Sequence, residues 1–148
     1  MPQSLAKILV HVVFSTKNRE PMIAGEIRPA LHAYITGILE NLRCPSLQTG
    51  DTADHVHTLL SLGRTWTVAD VVEEVKKSSS KSMKQQGIAS FFWQGGYGAF
   101  SIGESQLRAL VSYIGEPEEH HRHLSFQEEF RRLLERYGVA YDERYVWD

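Results

Sequence analysis

One cysteine, Cys44, among 148 residues excludes an intramolecular disulfide framework and suits a reducing compartment, where it reads as a packed strand residue. No stretch approaches the roughly 18 apolar residues of a membrane span, and Met1 to Asn18 lacks the charged-then-apolar order of a signal peptide. The expectation is a cytoplasmic protein. Surplus positive charge is missing too: 16 Lys and Arg stand against 18 Asp and Glu, a net charge of −2, with a pI near 6.4. That excludes a generic polyanion-coating protein, so any nucleic-acid role must rest on local basic patches. There is no internal repeat, linker or low-complexity tract. The length suits a single domain, 1–148, able to bury its own core.

Apolar periodicity is what the chain does have. Leu5 to Ser15 alternates Ile8, Val10, Val12 and Phe14 against Leu9, His11, Val13 and Ser15, and both sets are largely apolar, which predicts a central strand covered on both sides. Helical spacing from Glu26 to Leu42, with Pro29 in the first turn, predicts a helix. Ser46 to Thr49 reads as a short strand and Gly50-Asp51-Thr52 as the turn into a second strand, Asp54 to Leu62. Thr67-Val68-Ala69-Asp70 opens a helix through Gln85, stopped by Gly87. A strand at Ala99 to Ile102, a helix from Glu104 to Ile114, and an amphipathic helix carrying Phe126, Phe130, Leu133, Leu134 and Tyr137 complete the chain. The order β-α-β-β-α-β followed by helices predicts an α+β, ferredoxin-like split βαβ fold, with an antiparallel sheet packed against helices.

Chemistry concentrates in Asp54-His55-Val56-His57. On a strand, His55 and His57 project from the same face, and a rigid strand would fix the bite of two nitrogen ligands on a metal; a packed or hydrogen-bonded histidine pair is the alternative. On the Glu104–Ile114 helix, Tyr113 lies about 110° around from the centre of the apolar stripe, at a flank from which a hydroxyl can reach both sheet and solvent. Lys76, Lys77, Lys81 and Lys84 share the Thr67–Gln85 helix with Ser78, Ser79, Ser80 and Ser82. They offer either a phosphate-contacting patch or a solvated face. Phe91, Phe92, Trp93 and Tyr97, beside paired glycines, can stack on unpaired bases or fill a hydrophobic corner. His120, His121 and His123 beside Glu118 and Glu119 read as solvated or phosphate-facing groups rather than a second metal site.

Taken together, the strand Asp54-His55-Val56-His57, the segment Trp93-Gln94-Gly95-Gly96-Tyr97-Gly98-Ala99-Phe100-Ser101, the helix ending Tyr113-Ile114, Glu118-Glu119-His120-His121 and the tail Tyr141 to Asp148 resemble the HUH-type single-tyrosine transposases. These are the small enzymes of insertion-sequence-200-like elements and their repeat-associated relatives. The resemblance runs from about His11 to the C-terminus. It implies a homodimeric endonuclease and strand transferase that recognises DNA hairpins and cuts single-stranded DNA beside them. By that resemblance His55 and His57 hold Mg²⁺ or Mn²⁺, and Tyr113 attacks phosphorus to leave a 5′-phosphotyrosine and a free 3′-hydroxyl. Lys76, Lys77, Lys81, Lys84, Trp93 and Tyr97 are the expected DNA-binding residues.

One position departs from the pattern. The family usually carries a glutamine ligand four residues after the tyrosine, where this chain has Pro117, so Glu116 or Glu118 is the expected replacement. Two rival readings accompany the transposase: a non-cutting hairpin-binding module derived from it, and a metal-dependent hydrolase with a water nucleophile. Tyr113 separates the first reading from the last, because hydrolysis by water leaves no covalent adduct.

Overall fold

Alternation along β1 (Leu9–Ser15) sends Val10, Val12 and Phe14 into one core and Leu9 and Val13 into clusters on the opposite face. A computed structural model describes residues 2–116 and 124–148 of the chain. In it β1 pairs antiparallel with β3 (His55–Ser61) on one side and with β4 (Gly98–Ile102) on the other, while β2 (Ser46–Asp51) pairs with β3. The strand order β2-β3-β1-β4 is the split βαβ arrangement, so the expected α+β fold holds.

Helices cover both faces. On one, α1 (Arg28–Asn41) buries Leu31, Ile35 and Leu39, and α2 (Val68–Gln85) buries Val71, Val72, Val75 and Met83 against Val10, Val12, Phe14, Val56 and Leu60. On the other, α3 (Leu107–Gly115) contributes Ile114, and α4 (Phe126–Arg136) contributes Phe126, Phe130 and Leu134. Local signals set the boundaries. Pro29 stands in the first turn of α1, where its missing N–H costs nothing. Thr67 and Ser125 accept the backbone N–H groups of Asp70 and Glu128 as N-caps of α2 and α4.

Two glycines let the second pair of helices approach the sheet. A Cβ on Gly50 in β2 would lie 2.2 Å from the carbonyl oxygen of Ile114, and one on Gly98 in β4 would lie 2.7 Å from the Phe130 ring. The α3 backbone at Gly50 and the Phe130 ring of α4 at Gly98 therefore leave no room for a side chain at these positions. This also corrects the expected turn. Gly50 and Asp51 continue β2, and the reversal falls at Thr52-Ala53-Asp54, closed by the Thr52 N–H donating to the His55 carbonyl at 3.0 Å. β1 starts at Leu9 rather than Leu5, because its neighbours end at Ser61 and Ile102, opposite Leu9, and Leu5 is exposed. The helix expected from Glu104 begins as a 3₁₀ turn, Glu104–Gln106, before α3 proper.

Candidate metal and tyrosine site

β3 does what its period dictates: His55 and His57 project together toward α3 and α4, each about 1% exposed. Facing them is Glu129 of α4, itself 2% exposed. Its Oε1 accepts from His57 Nε2 at 2.8 Å and lies 3.3 Å from His55 Nε2. Ligand atoms of His55, His57 and Glu129 all lie within 4.8 Å of one another. The opposite carboxylate oxygen, Oε2, accepts a hydrogen bond from the Tyr113 hydroxyl, and the Tyr113 ring stands edge-on to His57 of the same chain at 6.0 Å. One carboxylate thus ties the two histidines to the tyrosine.

The far sides of the imidazoles are also held. His55 Nδ1 faces Asp54 Oδ1 at 2.6 Å and Thr52 Oγ1 at 2.9 Å, and His57 Nδ1 meets His11 Nε2 at 2.8 Å, the two rings stacked. Partners of this kind fix ring orientation and leave the Nε2 atoms to face the site. Burial opposes charge on His55, but the Asp54 and Glu129 carboxylates outweigh it and raise its pKa. For Glu129, burial pushes the pKa up, yet hydrogen bonds from His55 and His57 prevail and hold the carboxyl far below its usual range. His11, buried beside His57, is pushed down to about 3 and is neutral at pH 7. Burial and the Glu129 carboxylate raise the pKa of the Tyr113 hydroxyl, which keeps the phenol protonated.

A His-His-carboxylate set fits a divalent cation. Imidazole suits the transition metals, and carboxylate suits Mg²⁺ and Mn²⁺. Among the described residues, the carboxylate that meets the histidine pair is Glu129, which the sequence reading did not offer. Glu116 is exposed just past α3 and stands outside the cluster, while Glu118, with Pro117, Glu119, His120, His121 and His123, lies outside the described residues. Sequence reasoning missed Glu129, although a signal existed: it stands three residues after Phe126 and four before Leu133, along the buried stripe of α4, where a carboxylate needs a partner.

The expected DNA-binding residues divide. Lys77, Lys81 and Lys84 are exposed on α2, and the Lys84 ammonium sits 4.2 Å over the exposed Phe92 ring. Lys76 faces the other way. Its Nζ donates to the carbonyls of Gln94, Gly95 and Gly96 at 2.8, 3.3 and 2.7 Å, and burial lowers its pKa to about 8; it clasps the glycine loop rather than facing solvent. Trp93 is also a correction. It packs edge-on against Phe14 and Phe91 and donates its indole N–H to the buried Ser79 hydroxyl at 3.0 Å, so it has no face open for a base. Ser79 and Ser82 are buried and unavailable to phosphate. Tyr97 remains partly exposed beside Lys76.

Comparison with known proteins bears on this geometry. A family model described as IS200-like transposase matches residues 4–117. Among solved structures, a Deinococcus radiodurans R1 protein described as a transposase is similar in fold, with a TM-score of 0.64 and 19% identity, over 78% of this chain and 96% of that one. A REP-associated tyrosine transposase bound to a REP hairpin is similar at a TM-score of 0.62 and 16% identity, over 82% of this chain and 73% of that one. No curated protein matches. At these identities the solved structures speak for the fold, while the family match spans more than two thirds of the sequence, from β1 to the end of the tyrosine helix: the chain belongs to the IS200-like transposase family.

Proposed function

We propose that this transposase cuts and rejoins single-stranded DNA beside hairpins through a 5′-phosphotyrosine intermediate formed by Tyr113. The observation that supports it best is the convergence of Tyr113, His55 and His57 on Glu129. His55, His57 and Glu129 would hold Mn²⁺ or Mg²⁺, which would supply the positive charge that neutralises the phosphodiester and lowers the cost of deprotonating a phenol. The Tyr113 oxygen bonds to phosphorus as the bond from phosphorus to the 3′-oxygen breaks. That oxygen leaves with the electron pair and takes up a proton, while the phenolic proton already points at Glu129 Oε2. Reversal by another 3′-hydroxyl restores a phosphodiester without an external energy source.

The remaining parts of the reading have weaker but definite supports. Lys77, Lys81 and Lys84 form an exposed basic face suited to duplex phosphates, which is where a hairpin stem would rest. Hairpin recognition is also what the hairpin-bound relative suggests. A homodimer is in keeping with the sheet, whose edge strands β2 and β4 each pair on one side only among the described residues. No described helix is long and apolar enough to cross a membrane, and a DNA substrate suits the expected cytoplasmic location. The test is incubation with single-stranded DNA carrying a hairpin from the region flanking the coding sequence, plus Mn²⁺, followed by denaturing electrophoresis. A covalent complex that disappears in Tyr113→Phe is the expected result. Tight hairpin binding without an adduct under any metal would favour the non-cutting module, and cleavage without an adduct would favour a water nucleophile.

A further inference from the structure

Between α3, α4 and the β1–β4 side of the sheet lies a cavity of about 800 Å³, within the range of small-ligand sites. Its walls are apolar: Ile102, Leu110, Leu133 and the Tyr137 ring, which is stacked on Phe100 at 4.8 Å. Tyr113 and Glu129 line it too, so the cavity is continuous with the nucleophile. Arg132 and Arg136 also line it. They are four residues apart on α4, on one exposed face, and neither forms an ion pair with a described residue. Ser105 and Gln106 line it as well, and His11 sits fully buried behind the lining.

Each feature constrains the occupant. Apolar walls on this scale bury a flat ring, and two guanidinium groups with no carboxylate partner among the described residues call for phosphate at the exposed side. An aliphatic ligand satisfies only the first demand and a free phosphate only the second. A nucleotide of single-stranded DNA satisfies both, and adjacency to Tyr113 places it next to the phosphate under attack. Resting on the reading of Tyr113 as nucleophile toward single-stranded DNA, we propose that this cavity receives one unpaired base flanking the scissile phosphate. Its ring lies against Leu110, Leu133 and Tyr137, and its phosphate is met by Arg132 and Arg136. The base is drawn out of the strand and fixes which phosphodiester faces Tyr113. Site choice is then read partly by protein, separately from the hairpin.

The probe is a DNA hairpin with a single-stranded tail carrying 2-aminopurine at one tail position at a time, without metal. A change in emission confined to one or two positions is expected. Ala109 is exposed on α3 and lines the cavity, so Ala109→Trp fills it from the surface. That variant should lose the emission change and bind the tailed hairpin about tenfold more weakly, the scale of one lost stacked base. It should bind the same hairpin without a tail as wild type does. Photocrosslinking of 5-iodouracil at the responding position in unmodified protein should attach to a peptide of α3 or α4, a readout that needs no variant. Equal emission at every tail position, or crosslinks confined to other elements, would overturn the proposal. An emission change and crosslink in protein that never forms a tyrosine adduct would remove the cleavage reading and leave the base site standing. Adduct formation without any position-specific response would do the reverse.

Discussion

The two faces of the sheet are built from alternate residues of the same strands, yet they hold opposite contents. Against α1 and α2 the strands present Val10, Val12, Phe14, Val56 and Leu60, a dry layer with little polar content beyond hydroxyl pairs such as Thr49 and Thr58 at 3.0 Å. Against α3 and α4 they present His11, His55 and His57 around the Glu129 carboxylate, beside an open cavity. Buried ion pairs return little net stability because desolvation consumes most of their attraction, whereas apolar burial returns about 25 cal/mol per Å². The dry face therefore holds the sheet together, which leaves the other face free to carry groups chosen for chemistry.

Substitutions should separate the two faces, and the largest effect belongs to the polar one. Tyr113→Phe should abolish the DNA adduct on denaturing gels while costing about 1.5–3 kcal/mol in urea unfolding, the worth of one hydrogen bond to a carboxylate. Loss of folding without loss of adduct would reverse the assignment of roles. Leu39→Ala on the dry face should do the opposite. Its side chain is fully buried in α1, so the cavity costs about 2–5 kcal/mol in unfolding free energy. Adduct yield per folded molecule should stay unchanged.

Much of this division was legible in the chain. Period-2 alternation in β1 and β3 placed His55 and His57 on one face, and helical periodicity placed Tyr113 on the flank of α3, because both depend only on local geometry. The resemblance to single-tyrosine transposases then named the chemistry. Glu129 was not legible as a ligand, since its meeting with His57 across 72 positions depends on how α4 docks, which the close approach at Gly98 decides. The expected ligands Glu116 and Glu118 were chosen by proximity in sequence to Tyr113, whereas the carboxylate found beside the histidines comes from another helix, and Glu118 lies outside the described residues. Lys76 and Trp93 failed for a related reason. Amphipathic patterning gives the face of a residue but not whether a loop folds back over it, and here the Gln94–Gly96 carbonyls close over Lys76.

Asp51 interrupts the dry layer at its rim and sharpens the contrast. It follows Gly50 on β2, is 8% exposed, and its Oδ2 has no hydrogen-bond partner among the described residues. Burial raises its pKa to about 6, with His32 and Arg28 of α1 and His55 opposing the shift. A carboxyl whose folded pKa exceeds its unfolded one binds more protons in the native state, so stability falls as pH rises between about 4 and 6. Asp51→Asn removes that dependence. Relative to wild type the variant should gain stability progressively across that window, up to about 3 kcal/mol at pH 7. Parallel denaturation curves at pH 4 and pH 7 check it, and an unchanged difference between the two proteins would mean that Asp51 is ionised at little cost.

The smallest effect separates two lysines of one helix. Lys81 is exposed on α2, whereas Lys76, five positions earlier, donates to three loop carbonyls. An exposed phosphate contact contributes through counterion release and little else, so Lys81→Ala should lower the slope of log affinity against log salt for a hairpin by about 1. Its folding stability should stay within about 0.5 kcal/mol of wild type. Lys76→Ala should lower stability by about 1–3 kcal/mol, because the three carbonyls lose their shared donor, and should leave the salt slope nearly intact. Hairpin titrations at several salt concentrations, paired with urea unfolding, measure both quantities. If Lys76→Ala changed the salt slope as much as Lys81→Ala, the clasp would open on DNA, and the basic face would include the residue that the free protein keeps folded against its glycine loop.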